Sequence, residues 1–303
     1  MNLAIAFDKN YLTPFYALIT SIFVNNSKVP FVFHFIVRSD VTESEKKKIS
    51  NYVEQNDSKC RFYEVDENLI SQFVVLGKWT SSVYYKMFFP LIVPNTIDKM
   101  LYLDTDMLVI GHLKPLFEID LLDKPLGAVY DNYVKVQPSL GIIEEGNYFN
   151  SGMLLYNLPI WNDLRISERA ISFLTEFPEK IKFVDQCALN GVLLGNWFHI
   201  SEKYNLLYSY IPQAISKNEL NEFIKDKVVI HFTLQRPWNF ICKNRLRDLY
   251  KYYLKLSPAK KSPVIIDFAI SKLPAYTQLR LKEIYFDQLL IQKIWRKFKF
   301  LKR

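Results

Sequence analysis

Short apolar runs alternate with amphipathic stretches along the first hundred residues. Residues 3–7 form an apolar run closed by Asp8-Lys9-Asn10, and this predicts a strand. Residues 11–24 predict a helix with Pro14 in its first turn, where a missing N–H costs nothing. A second strand is expected over 31–37. Thr42-Glu43-Ser44-Glu45 then forms a capping box, in which hydroxyl and carboxylate satisfy each other's backbone N–H, and it opens a helix to about Gln55. Residues 60–65 predict a third strand. Residues 80–89 predict a helix capped by Thr80 and stopped by Pro90. Residues 100–103 predict a strand running into Asp104-Thr105-Asp106. This alternation is that of an α/β sheet with parallel strands.

Later elements are less regular. Strands are expected over 127–130, 153–156 and 228–231, and helices over 158–177 and 185–194. The run Ser257-Pro258-Ala259-Lys260-Lys261-Ser262-Pro263 reads as a linker. It divides a body of residues 1–250 from a C-terminal helical segment, 251–303. Within that segment 282–303 reads as a basic amphipathic helix, with Phe286, Leu289, Leu290, Ile294, Phe298 and Leu301 at helical spacing. Such a helix suits an anionic membrane surface, and packing onto the body is the alternative.

Composition narrows the field. Of 303 residues half are hydrophobic and 16% aromatic, enough for one large core. The net charge of +8 is concentrated at the end, with six basic residues and no acid between Lys293 and Arg303. A near-neutral body argues against nucleic acid as partner. Cys60, Cys187 and Cys242 are too few and too scattered for a disulfide framework, so reduced thiols are expected. With no signal peptide or spanning segment evident, a cytoplasmic protein, peripheral on the inner face of the membrane, is the expectation.

The chemistry centres on Asp104 and Asp106. In an extended chain residues two apart point the same way, so two carboxylates converge at the end of an apolar strand. Like charges held together call for a cation. A solvated turn could carry the same triplet, but its flanks, Met100 to Leu103 and Met107 to Ile110, are apolar. His231 ends a buried strand, where a lone histidine is often a core residue. Added to two carboxylates, a neutral imidazole suits Mn²⁺, or Mg²⁺. Arg236, before Pro237-Trp238, offers a planar fork for phosphate.

The chain resembles glycosyltransferase family 8 from residue 3 to about 240. The resemblance rests on six motifs in order: 4–11 (Ala-Ile-Ala-Phe-Asp-Lys-Asn-Tyr), 102–106 (Tyr-Leu-Asp-Thr-Asp), 127–131 (Gly-Ala-Val-Tyr-Asp), 148–153 (Tyr-Phe-Asn-Ser-Gly-Met), Asp185-Gln186 with Leu189-Asn190, and 230–232 before Pro237-Trp238. It implies a GT-A fold, a Rossmann-like mixed sheet flanked by helices, with a small C-terminal helical segment. It also implies a retaining hexosyltransferase that moves glucose or galactose from a UDP-sugar to a glycan acceptor on lipopolysaccharide, capsule, glycolipid or glycoprotein. By resemblance Ala6, Asp8, Asn10 and Tyr11 would hold the nucleotide, with Asp8 on the uracil edge and Tyr11 stacked on its face. Asp104 would hold ribose and metal, and Asp106 and His231 would complete the Mn²⁺ site. Asp131, Asn150, Ser151, Gly152, Asp185 and Gln186 would surround the transferred sugar, with Gln186, Asp185 and Asp131 as the catalytic set.

Two positions depart from the family pattern. Lys86 stands where arginine is usual, which keeps the charge and loses the fork. Leu234 and Arg236 replace a glycine and a lysine in the loop after His231. Two rivals follow: a metal-dependent sugar nucleotidyltransferase, and a catalytically impaired module that binds sugar nucleotide or glycan. The first would carry a glycine- and lysine-rich phosphate loop near its start, which this chain lacks.

Overall fold

The apolar runs become nine strands among the described residues: β1 (Asn2–Phe7), β2 (Val32–Val37), β3 (Lys59–Tyr63), β4 (Lys99–Leu103), β5 (Met107–Val109), β6 (Leu126–Tyr130), β7 (Phe149–Asn157), β8 (Phe198–His199) and β9 (Val229–His231). The computed structural model of the chain describes residues 1–74 and 80–288. Seven strands form one sheet in the order β3-β2-β1-β4-β7-β6-β8, and β5 pairs with β9 in a second, two-stranded sheet. The first four are parallel, as the alternating pattern predicts, whereas β7 runs antiparallel to both β4 and β6. The sheet is therefore mixed.

Strands covered on both faces need apolar side chains on both, which is why β1 and β4 read as unbroken apolar runs. Alternate residues divide between two cores. Ala4, Ala6, Tyr102 and Leu154 face one, while Leu3, Ile5, Leu101 and Leu155 face the other. Helix Leu12–Asn25 covers the second face with Phe15, Leu18, Ile19 and Ile22. Helices Ile166–Glu176 and Val184–Leu193 cover the first. The capping box at Thr42 forms as expected, its hydroxyl accepting from Glu45 N and the Glu45 carboxylate from Thr42 N.

Three local expectations are corrected. The helix expected over 158–177 is two, Leu158–Asp163 and Ile166–Glu176, broken where Arg165 takes a left-handed φ of 50°. Trp161 and Ile166 are both fully buried in one core. Five residues apart on an unbroken helix they would point about 140° apart. Residues Ser81–Met87 are a 3-10 helix, and Pro90 opens the short helix Phe89–Ile92 instead of ending one, because its fixed φ suits a first turn. The Thr80 hydroxyl caps nothing and donates to Asp8 Oδ2 at 2.7 Å.

At the C-terminal end, helix Arg247–Leu256 packs Tyr250, Tyr253 and Leu254 into a third cluster that includes Ala17. Helix Leu273–Asp287 begins nine residues before the expected basic helix. It is bound to the body by a two-pronged Arg247–Glu283 ion pair, both contacts 2.7 Å. The basic run after residue 288 lies outside the described residues. Among those described, no helix is long and apolar enough to cross a membrane. All three cysteines are free.

Candidate active site

In open sheets of this kind ligands bind outside the carboxyl ends of the parallel strands, where chain direction changes. Here β4 ends at Leu103, and Asp104 N donates to Gly152 O of the neighbouring β7 at 2.8 Å. Residues 105–106 form a turn, not the extended chain expected from the triplet, and β5 begins at Met107. The carboxylates converge all the same, because β5 pairs with β9 so that Met107 lies opposite His231. That register sets the imidazole beside Asp106, with Nε2 3.1 Å from Oδ1. One ligand atom from each of Asp104, Asp106 and His231 lies within 4.8 Å of the others.

The electrostatics favour a cation there. Burial pushes the Asp104 carboxyl up, Lys86 pulls it back, and the nearby Asp106 charge adds to the push. Burial also works to raise Asp106, but His231 overcomes it and holds the acid below the usual carboxylate range. Asp104 is 30% exposed at its side chain, on the cavity. Its Oδ1 is anchored by Tyr102 OH at 2.7 Å and Lys86 Nζ at 3.2 Å, while Oδ2 lies toward Gly152. Two carboxylates from the turn between β4 and β5 and an imidazole from the end of β9 fit a divalent ion such as Mn²⁺ or Mg²⁺.

Lys86 is 2% exposed and paired with Asp185 Oδ2 at 2.8 Å as well as with Asp104. Burial works to lower its pKa, and the two carboxylates more than offset this and raise it. Ser151 Oγ also donates to Asp185 Oδ2, at 2.6 Å. Gln186 Oε1 accepts from Ser151 N and Asn150 Nδ2, both at 3.2 Å, and Gln186 Nε2 donates to Asp131 Oδ2 at 3.0 Å. Asp185 and Gln186 lie in the first turn of their helix just after Val184. That β-branched residue is held at φ 36°, a backbone that costs of order 1–3 kcal/mol.

These residues border one cavity of about 480 Å³, together with Ala6, Tyr11 and Arg236. The Arg236 guanidinium lies 5.4 Å from the centre of the Tyr11 ring, and burial pushes the Tyr11 phenol up to about 12. Asp8 and Asn10 do not line the cavity. Asp8 is fully buried, its carboxylate accepting from Asn10 N and Thr80 Oγ, and Asn10 is exposed. Leu234, at the mouth, takes a φ of 62°, the left-handed backbone that favours the glycine of the family pattern.

Sequence reasoning missed Asn205, Tyr102 as a partner of Asp104, and Thr80 as a partner of Asp8. Asn205 sits in an irregular stretch and is fully buried against His231 Nδ1, 3.0 Å away. Nothing local in the sequence distinguishes it from any loop asparagine.

Gly152 has a steric reason. A Cβ there would lie 2.3 Å from His231 Cε1 and 2.9 Å from Asp104 Oδ2. Gly152→Ala is therefore expected to leave the sheet intact and to displace two ion ligands. Divalent-ion affinity should fall about 10–100-fold, read as free Mn²⁺ by electron paramagnetic resonance. Unchanged affinity would show that the cluster does not bind the ion.

A family model described as "Glycosyl transferase family 8" matches residues 2–242. The chain is 26% identical to General stress protein A of Bacillus subtilis (strain 168) over 266 residues, 84% of this chain and 93% of that protein. It is 26% identical to lipopolysaccharide 1,2-glucosyltransferase of Escherichia coli (strain K12) over 268 residues, 86% of this chain and 79% of that protein. Among solved structures, the galactosyltransferase LgtC in complex with donor and acceptor sugar analogues is similar with a TM-score of 0.74 and 21% identity. The match covers 90% of this chain and 99% of that one. The fold is thus the GT-A fold: a mixed sheet flanked by helices, with a C-terminal helix.

Proposed function

Because the chain belongs to glycosyltransferase family 8, we propose that it is a retaining, divalent-metal-dependent hexosyltransferase that moves glucose or galactose from a UDP-sugar to a glycan acceptor. The observation that carries this reading is the convergence of Asp104, Asp106 and His231 on a cavity also bordered by Lys86 and Arg236. Mn²⁺, or Mg²⁺, held by those three residues would supply positive charge against the leaving diphosphate. Arg236 and Tyr11, stacked together, suit the nucleotide end of the donor. Ala6 leaves room beside Tyr11, and Asp8 supports the pocket by tying residue 10 to Thr80.

At the other end Asp131, Asn150 and Gln186 form a hydrogen-bonded group suited to sugar hydroxyls. Asp185 Oδ2 is held by Lys86 and Ser151, an arrangement that suits orientation and charge balance better than nucleophilic attack. Departure and attack on one face of the sugar follow, with the leaving phosphate taking the acceptor proton. The Escherichia coli relative's name supports a lipopolysaccharide-type acceptor. Residues 1–250 would be the catalytic body. Residues 251–303 would associate with an anionic membrane surface, a reading supported by exposed Ile266, Phe268 and Ile270 and by the basic run from Lys293.

A donor screen tests this. UDP-hexoses incubated without acceptor should release UDP slowly when Mn²⁺ is present and not after chelation. Release of pyrophosphate from UTP and a sugar phosphate would favour the nucleotidyltransferase instead. No turnover of any UDP-hexose would sink the proposal.

A further inference from the structure

Asn205 is fully buried and does not border the cavity, yet it touches both halves of the site. A buried primary amide is retained where its donors and acceptor are used in a fixed sense. Here one backbone group fixes that sense, because an N–H can only donate. Gly152 N points at Asn150 Oδ1 at 3.1 Å, so this atom is the oxygen and the Asn150 NH₂ faces Asp131 Oδ2 at 3.1 Å and Gln186 Oε1 at 3.2 Å. Since Asn150 Oδ1 accepts, the Asn205 group 3.0 Å from it is the NH₂. Asn205 Oδ1 then lies 3.0 Å from His231 Nδ1, which must carry a proton. In a neutral imidazole Nε2 is left with its lone pair, on the side of Asp106.

We propose that Asn205 is a positioning residue that couples the divalent-ion site to the sugar pocket. It selects the His231 tautomer able to ligate, and through Asn150 it fixes the amide directions around Asp131 and Gln186. This rests on the reading of the site as a metal-dependent UDP-hexose transferase. Neither half of the site can reverse a hydrogen bond without reversing the other. The two are joined through six polar atoms, His231 Nδ1, Asn205 Oδ1 and Nδ2, Asn150 Oδ1 and Nδ2, and Asp131 Oδ2, in direct contacts of 3.0–3.1 Å.

Two variants separate the halves. In Asn205→Asp one carboxylate oxygen still accepts from His231 Nδ1, so the protein without nucleotide keeps or tightens its hold on Mn²⁺. The other oxygen faces Asn150 Oδ1 and forces that amide to turn away from Asp131. The value of kcat for UDP-hexose hydrolysis at saturating Mn²⁺ then falls about 10–100-fold. In Asn205→Ala both Mn²⁺ affinity and kcat fall, each about 10–100-fold. Affinity is read as free Mn²⁺ by electron paramagnetic resonance and folding by the thermal transition. Unchanged Mn²⁺ affinity in Asn205→Ala, or wild-type kcat in Asn205→Asp, would overturn the coupling. Should Asn205→Ala not fold, Asn205→Asp decides alone: retained affinity with lowered kcat supports it, and parallel change or no change overturns it. A wild-type protein that binds no Mn²⁺ would instead overturn the metal-dependent reading itself.

Discussion

Asp106→Ala is expected to lower UDP release from a UDP-hexose by at least about 10³-fold without unfolding the chain. His231 holds the Asp106 acid below the usual carboxylate range despite burial, so at neutral pH the group is an anion 3.1 Å from Nε2. Either a proton on Nε2 or a bound cation must sit between the two. Removing the carboxylate takes away one ion ligand and the charge that attracts the ion. It also relieves repulsion with Asp104, which burial and Asp106 together push upward, so the fold should lose little. Parallel Mn²⁺ titration and thermal unfolding separate the two effects. Turnover left intact in Asp106→Ala would remove the metal from the mechanism.

The largest stability effect is expected at Lys86. Its ammonium is 2% exposed and lies within 3.2 Å of carboxylate oxygens on Asp104 and Asp185. Those carboxylates raise its pKa against burial. Lys86→Met keeps the volume and strands both anions in the interior, at a cost of about 3–5 kcal/mol. A shift of that size is plain in a denaturant midpoint. Lys86→Arg, which keeps the charge and restores the fork of the family pattern, should lose far less, and it isolates charge from shape. A Lys86→Met protein as stable as the wild type would mean that Asp104 or Asp185 is already neutral.

The sheet was legible because its central strands are buried on both faces and so appear as apolar runs, as in residues 2–7 and 99–103. Their direction was legible only as far as β4. Nothing in residues 149–157 announces that β7 turns antiparallel, since that depends on the path of the intervening chain. The break at Arg165 was hidden for a similar reason: it answers the demand that Trp161 and Ile166 reach one core. At the site, Asp104, Asp106 and His231 could be named from residue type, yet the reason they meet is the pairing of β5 with β9. That pairing joins residues more than a hundred positions apart. Asn205 shows the limit most clearly, because a partner of a ligand is defined by geometry alone.

Strand β7 lies in the interior of the sheet, bonded to β4 on one side and β6 on the other, and one of its ends carries Asn150, Ser151 and Gly152. Chemistry is more often mounted on loops, which can loosen while a domain stays whole. Here three of the cavity residues share the backbone that holds the two halves of the sheet together. That wall of the cavity should keep its shape until the sheet itself gives way.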